Sequence, residues 1–195
     1  MTILMATNNA HKIKEIKEIF ANTDYTVVSP KELGIKVEVE EDGTTFAENS
    51  LKKAQGFCKA TGLIAIADDS GLVVDALGGQ PGVYSARYGG DGLDDAGRTD
   101  LLLKNMEGIT NRAAAFECAI SMVYPDGKVI TASGRCEGNI ALAPSTRVGF
   151  GYDPVFIPNG YDVTFAELTM EEKNSISHRG RALAELKKKL SEEQK

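Results

Sequence analysis

Short apolar runs alternate with helical patterns along the first part of the sequence. Ile3 to Ala6 is a buried-strand candidate, polar Thr7 to Asn9 follows it, and apolar residues at helical spacing begin at Ile13. Leu63 to Ala67 is a second such strand candidate and leads into Asp68-Asp69-Ser70-Gly71. The predicted order is therefore strand, polar turn and helix.

A hairpin signal in the second half adds a further constraint. Pro125-Asp126-Gly127 separates the strand candidates Ala113 to Tyr124 and Lys128 to Arg135, so part of the sheet must be antiparallel. Val155 to Ile157 is one more short strand candidate, and Gly78 to Gly97 is expected to be a glycine-rich loop.

Capping signals place the helices. Thr45 and Glu48 have capping-box spacing, and so do Thr169 and Glu172. The helix after Thr45 is expected to bury an apolar stripe of Ala47, Leu51, Ala54 and Cys58, another helix is predicted over about Asp94 to Met106, and the last helix carries Leu183, Leu186 and Leu190 on one face.

Length and charge limit the class of protein. The 195 residues show no internal repeat and no linker, so residues 1–195 are predicted to form a single domain. With 22 Lys+Arg against 28 Asp+Glu, the net charge of −6 argues against a protein that coats nucleic acid or an anionic membrane. Single nucleotides remain possible ligands, because they need only a local basic pocket.

Cysteine usage and apolar content suggest a compartment. The sequence has three cysteines, Cys58, Cys118 and Cys136, and none of them forms a CxxC pair. An odd number at this spacing implies neither a disulfide framework nor a zinc site. The longest apolar run is about Leu63 to Ala67, and the N-terminus lacks the features of a secretory signal. We therefore expect a cytoplasmic protein with no membrane partner.

The polar turn before the first helix is a candidate phosphate site. Free backbone N–H groups and the positive end of a helix dipole favour anions there, and Lys12 adds a mobile charge. Thr7, Asn8 and Asn9 offer side chains that could bind phosphate oxygens. Simple helix capping by asparagine explains the same pattern, and both interpretations stay open.

Acidic residues form a candidate metal site. Glu38 to Asp42 precede the second helix, and Asp68-Asp69 is expected at the end of a buried strand. One carboxylate from each segment could bind Mg²⁺, which prefers oxygen ligands and shares its shell with water and substrate phosphates. The alternatives are a solvated charge run for the first segment and a turn for the second.

A third group of residues could bind a flat ligand. Phe150 lies between two glycines in Gly149 to Pro154, where a ring could stack on it, although a turn that covers the core is an equal alternative. Lys173, His178 and Arg179 are cationic or titratable groups at or between helices.

Six segments in a fixed order resemble the inosine triphosphate pyrophosphatase family, the XTP/dITP diphosphatases. The resemblance covers nearly the whole chain. Its segments are TNNAHK at 7–12, EEDGTTFAEN at 40–49, ADDSGL at 67–72, GGQPGVYSARY at 78–88, GFGYDP at 149–154 and ELTMEEKNSISHRGRAL at 167–183.

The resemblance implies a fold and an activity. The fold is α/β, with a mixed central sheet, flanking helices and two lobes around a substrate cleft, and the expected assembly is a homodimer. The activity is Mg²⁺-dependent hydrolysis of ITP, dITP and XTP to the monophosphate and pyrophosphate, which cleanses the nucleotide pool. A Maf-like pyrophosphatase for other nucleotides and a catalytically inactive nucleotide sensor are the alternatives.

The resemblance also implies site residues, all of which are present. Two carboxylates would bind Mg²⁺ and act on the attacking water, a polar set would bind the triphosphate, and an aromatic and charged set would bind the purine. The carboxylates are Glu41 and Asp69. The triphosphate set is Thr7, Asn8, Asn9, Lys12, Lys53 and Ser70. The purine set is Phe150, Gly151, Tyr152, Asp153, Lys173, His178 and Arg179.

One segment departs from the family pattern. Pro144 to Gly149 replaces a glycine-richer approach to GFGYDP, so this loop is expected to be stiffer. Arg147 could contact a phosphate or the base, or lie in solvent. The departure affects the expected substrate preference rather than the reaction class.

Overall fold

The computed structural model describes residues 1–146 and 149–193. Six strands and five α-helices are present in these ranges. They are β1 Thr2–Met5, α1 Ala10–Ile19, β2 Thr26–Val28, α2 Phe46–Thr61, β3 Ile64–Val74, α3 Asp95–Asn105, β4 Ala113–Val123, β5 Val129–Ile140, β6 Phe156–Pro158, α4 Met170–Ile176 and α5 His178–Glu193.

The strands form one mixed sheet in the order β2-β1-β3-β4-β5-β6. β1 is parallel to both of its neighbours, with Leu4 opposite Val28 on β2 and Met5 opposite Ile66 on β3. β5 and β6 are antiparallel, with Asn139 opposite Ile157. The predicted α/β fold with a mixed sheet and flanking helices is confirmed.

The chain divides into two compact units, each with its own core. The first comprises residues 1–69, residues 118–134 and the described chain from residue 182. The second comprises residues 70–117 and the described part of 135–181.

In the first unit, strand alternation distributes apolar side chains to two faces. Ile3 and Met5 of β1 pack in a cluster with Ile16 of α1 and Leu186 of α5. Leu4 of β1 belongs to a different cluster, which α2 completes through Ala54, Phe57 and Cys58. Alternate residues of the parallel strands therefore contact different helices.

The core of the second unit is built around aromatic rings. Phe116 stacks on Phe165 with ring centroids 5.7 Å apart and meets Phe156 edge-on at 4.7 Å. Leu72 and Leu102 are fully buried in the same cluster. This packing joins the end of β3 to the C-terminal half of α3 within one unit.

Local sequence signals agree with the structure at several positions. Thr45 and Glu48 form a complete capping box at α2, and Thr169 and Glu172 form another at α4. The helix predicted over about Asp94 to Met106 is α3, for which Asp94 is the N-cap. The turn at 125–127 joins β4 to β5 as predicted.

Three predictions are corrected. β3 does not end before Asp68 but continues to Val74, between β1 and β4 in the sheet. Within the second unit, the Leu72 N–H of this strand donates to Ser85 Oγ at 2.9 Å. Ala47 is exposed, and Phe46 with the polar pair Asn49 and Ser50 faces inward instead.

The third correction concerns the expected loop at 78–97. A 3₁₀ helix, Gly82–Arg87, lies within it, and its Ser85 is buried. β3 approaches this helix closely: a Cβ on Gly71 would lie 2.4 Å from Ser85 Oγ. Position 71 therefore requires glycine because any larger side chain would clash with Ser85, and not because of its backbone angles.

No helix in the described ranges is long and apolar enough to cross a membrane.

The capping box of α2 yields a stability prediction. We expect Thr45→Ala to lower the free energy of unfolding by about 1 kcal/mol, because the Glu48 N–H loses its side-chain acceptor at 3.1 Å. Thr45→Ser, which keeps the hydroxyl, is the matched control and should retain most of the stability. Urea unfolding measures both, and equal losses in the two variants would contradict the capping role.

Candidate functional site

The first group of candidate residues follows the parallel strands. Because Met5 lies opposite Ile66, the residues after β1 lie beside the residues that follow Ile66, and the Ala6 N–H donates to the Ile66 carbonyl at 2.8 Å. Ligands of open α/β sheets bind at the carboxyl ends of such strands. Thr7 to Asn9 occupy this position immediately before α1.

Side chains in this turn organise the backbone. Asn9 Oδ1 accepts from the Lys12 N–H at 3.3 Å, and Thr7 Oγ1 accepts from the Asn9 N–H at 3.2 Å. Asn8 Oδ1 accepts from the Lys31 N–H, just after β2. Capping by asparagine is thus present, and these hydrogen bonds order the turn before α1.

The two consecutive aspartates on β3 contact different helices. Asp68 is buried, and its Oδ2 lies 2.8 Å from Lys12 Nζ of α1. Asp69 is half-buried, and its Oδ2 accepts from Asn49 Nδ2 of α2 at 3.0 Å. The alternation of side chains along a strand requires this division. The turn interpretation of this segment is wrong, because both residues lie inside a strand.

Asn49 connects two candidate metal-binding segments. Its amide donates to Asp69, while its Oδ1 accepts from the Gly43 N–H at 2.8 Å, two residues after Glu41. Its side chain is only 1% exposed, so the amide is fixed in place. Sequence reasoning did not assign Asn49 a role.

The lysine one turn later on α2 pairs with the other candidate carboxylate. Lys53 Nζ lies 2.5 Å from Glu41 Oε1. Residues four apart on a helix share a face, so α2 directs Asn49 and Lys53 to the same side. Glu41 and Asp69 are therefore both attached to one helix face through these partners.

Glu41 and Asp69 suit a magnesium ion by their chemistry. Both supply carboxylate oxygens, and Mg²⁺ is commonly bound by one or two carboxylates with water and substrate phosphates filling its shell. Within the described ranges, no group of three or more His, Cys, Asp or Glu residues forms a metal cage. The two carboxylates are ligands of the kind that Mg²⁺ takes together with water and phosphates.

The second unit contains the aromatic segment. Phe150 is 75% exposed, whereas the neighbouring Tyr152 is buried and donates from its hydroxyl to the Ser85 carbonyl at 2.8 Å. Burial raises the pKa of Tyr152, so it stays a neutral donor. Gly151 has a φ of +56°, which favours glycine between the two rings.

Asp153 and Lys173 form a largely buried ion pair. The Asp153 Oδ2 to Lys173 Nζ distance is 2.5 Å, and Lys173 Nζ also lies 5.6 Å from the centroid of the Phe165 ring. Burial raises the pKa of Asp153, and the positive charge of Lys173 opposes that shift. The structure thus brings together two residues that the sequence places twenty positions apart.

His178 begins α5, and its ring stacks on Phe116 of the aromatic core with centroids 4.8 Å apart and an interplanar angle of 13°. Arg179 follows it directly. A Cβ on Gly180 would lie 1.9 Å from the Asn174 carbonyl oxygen, so the α4 to α5 connection is tightly packed. A side chain at position 180 would clash with this carbonyl, so the connection requires glycine.

Ser70 follows Asp69 on β3 and is half-buried. Arg147 and Val148, part of the segment that departs from the family pattern, lie outside the described residues. Ser145 in that segment is held by the described chain, since its N–H donates to the Pro154 carbonyl at 2.8 Å.

The mixed sheet, the polar turn between β1 and α1 and the two lysine–carboxylate pairs define an α/β protein with a candidate site for an anionic ligand. Comparison with known proteins makes this class specific. A model of the Ham1 family matches residues 3–189. The chain belongs to the Ham1 family, and the family predicted from its motifs is confirmed.

Individual relatives match over nearly their full lengths. The dITP/XTP pyrophosphatase of Desulfotalea psychrophila is 51% identical over 185 residues, covering 95% of this chain and 83% of that protein. The dITP/XTP pyrophosphatase of Bacillus subtilis is 48% identical over 189 residues, covering 96% of each chain. The solved structure of the Staphylococcus aureus Ham1 protein superposes with a TM-score of 0.94 at 42% identity, covering 99% of this chain and 100% of that one.

The raised pKa of Asp153 predicts a pH-dependent stability. A carboxyl that binds protons more tightly in the folded than in the unfolded protein contributes less stability as pH rises above its ordinary pKa of 3.8. Asn does not titrate, so we expect the free energy of unfolding of Asp153→Asn, relative to the native protein, to increase between about pH 4 and pH 7.

Urea unfolding at four pH values across this range measures the difference. Asp162→Asn makes the same chemical change at an exposed position of the same unit and serves as the control. A difference for Asp153→Asn that stays constant or decreases with pH would show that burial does not dominate at this carboxyl.

Proposed function

We propose that this protein is a nucleoside triphosphate pyrophosphohydrolase that converts ITP, dITP and XTP to their monophosphates and pyrophosphate. The observation that carries the proposal is the pair of hydrogen bonds made by the Asn49 amide, one to Asp69 and one to Gly43 near Glu41. Lys53, one turn later on the same helix, contacts Glu41 itself. Relatives about 50% identical over most of the chain are dITP/XTP pyrophosphatases, which supports the same activity.

The first unit binds the triphosphate in this proposal. The α1 N-terminus with Thr7, Asn8 and Asn9 contributes N–H and side-chain donors, and Lys12 and Lys53 contribute positive charge. Lys12 Nζ lies 2.8 Å from Asp68 and Lys53 Nζ lies 2.5 Å from Glu41, so these ion pairs restrain both ammonium groups. Transfer at phosphorus depends chiefly on such positioning and charge neutralisation. Ser70, next to Asp69, lies among the proposed phosphate ligands.

Glu41 and Asp69 are the proposed metal ligands. When bound, Mg²⁺ would supply positive charge to the phosphates and make a bound water more acidic. Asp69 would orient or deprotonate the water that attacks the α-phosphorus. The bond between the α-phosphorus and the bridging oxygen breaks, and pyrophosphate leaves with that oxygen.

The second unit binds the purine in this proposal. The exposed ring of Phe150 stacks on the base, and the adjoining Gly151 and Tyr152 fix that ring. Donors from His178 and Arg179 match the 6-oxo group of hypoxanthine and xanthine, whereas the 6-amino group of adenine would leave them without acceptors. The Asp153–Lys173 pair provides one further acceptor and donor for the base edge.

Assembly and location complete the proposal. We place the enzyme in the cytoplasm as a homodimer that acts on free nucleotides and needs no nucleic acid or membrane partner. The net charge of −6 is consistent with a small anionic substrate bound by local lysines rather than by a basic surface.

A product assay tests the activity. We expect incubation with ITP, dITP or XTP and Mg²⁺ to release the monophosphate and pyrophosphate, with little turnover of ATP and little without the metal. Chromatography identifies the products. Formation of IDP and phosphate would contradict the cleavage site, turnover of other nucleotides in preference to ITP would favour the Maf-like alternative, and tight ITP binding without turnover would favour the sensor.

A single substitution tests the proposed base. We expect Asp69→Asn to lower kcat for ITP by about 10²- to 10⁴-fold, because the amide cannot take up a proton at neutral pH. The fold should persist, since the new carbonyl oxygen can still accept from Asn49 Nδ2.

Asp126→Asn is the control for this experiment, because it makes the same change at an exposed hairpin residue of the same unit. Its kcat should match that of the native protein. Circular dichroism verifies that both variants are folded, and near-normal turnover by folded Asp69→Asn would overturn the assigned role.

A further inference from the structure

The first residue of α3 contacts the segment that carries Phe150. Asp95 Oδ2 accepts a hydrogen bond from the Gly151 N–H at 2.9 Å, although the two residues are 56 positions apart in the sequence. Thr99, one turn further along α3, directs its hydroxyl to the Gly151 carbonyl at 3.4 Å. Both backbone polar groups of Gly151 are thus directed to one helix.

This contact matters because Phe150 is not held by packing. With 75% of its surface exposed, the ring gains little from burial, so its position depends on the backbone on either side of it. The next residue, Gly151, has a φ of +56° and can adopt many other conformations. A charged acceptor on its N–H selects one of them.

The neighbouring aspartate does not make this contact. Asp94 is the N-cap of α3, and its Oδ1 accepts from the Gly97 N–H at 2.8 Å within the same helix. The two adjacent aspartates therefore make different contacts. Asp94 caps α3, and Asp95 accepts a hydrogen bond from Gly151.

We propose that Asp95 is a positioning residue for purine binding, acting through the Gly151 amide to orient Phe150. The inference rests on the proposed function, because it assumes that Phe150 stacks on the base. In this role Asp95 would touch neither the substrate nor the reacting atoms. Its effect should fall on binding of the base and not on phosphate chemistry.

Three variants separate this role from a structural one. Asp95→Ala removes both the acceptor and the charge, whereas Asp95→Asn keeps an acceptor oxygen and removes only the charge. Asp94→Ala removes the cap of α3 and keeps the contact between Asp95 and Gly151. It therefore measures the effect of a less stable α3 on KM and binding. Each is compared with the native protein in Mg²⁺.

We expect Asp95→Ala to raise KM for ITP about tenfold with kcat within about twofold of the native value, since one hydrogen bond to a charged acceptor is lost. Calorimetry should show IMP binding weakened by a similar factor and pyrophosphate binding unchanged. Asp95→Asn should recover most of the KM. Hydrogen exchange of the Gly151 amide should be faster in Asp95→Ala than in Asp95→Asn.

Other outcomes overturn the inference. A native KM in Asp95→Ala, an equal loss of pyrophosphate binding, or the same rise in KM in Asp94→Ala would each show that Asp95 does not position the base-binding segment. Failure of the proposed function is distinguishable, because it would appear in the native protein as an absence of ITP turnover and of IMP binding, whatever residue stands at 95.

Discussion

The parallel pairing of β1 with β3 is the constraint on which the candidate phosphate and metal residues depend. With Met5 opposite Ile66, the turn that starts α1 and the acidic part of β3 lie next to each other. The ion pair between Lys12 and Asp68 follows from this register. A slip of one residue would turn the Asp68 side chain to the other face of the sheet and break the pair.

β3 carries two consecutive aspartates in its interior, which is costly unless each has a partner. A buried carboxylate must be paired or hydrogen-bonded to offset its lost hydration. Asp68, on the face of α1, contacts Lys12, and Asp69, on the face of α2, contacts Asn49. The polar partners are therefore as necessary to the strand as its apolar residues, and they also hold the charged groups in defined positions.

Sequence patterns predict the parts of this molecule that local interactions determine. The box formed by Thr45 and Glu48 and the turn at 125–127 involve residues close in sequence, so their signals are readable without the fold. The residue types at 68–71 are typical of a turn. The segment is a strand because it pairs with neighbouring strands that are distant in the sequence. The three-residue β2 is too short to show a period at all.

The residues that sequence reasoning missed share a different property. Asn49 reads as an ordinary polar residue near the start of a helix, yet it is nearly fully buried. Asp95 reads as part of a helix-capping pair with Asp94, and nothing in the local pattern shows which of the two reaches position 151. Their roles come from long-range contacts, which one sequence does not display. The motif resemblance found the residues proposed to touch substrate, but not those that hold them in place.

The two units differ in the chemistry they offer. In the first, lysines pair with carboxylates at buried and half-buried positions, so several charged groups lie within one unit. In the second, the Asp153–Lys173 pair is internally neutralised and lies against an aromatic cluster, beside which an exposed ring is anchored through its backbone. An uncharged flat group gains from contact with that exposed ring, whereas in either unit an anion must compete with a carboxylate for the paired lysine.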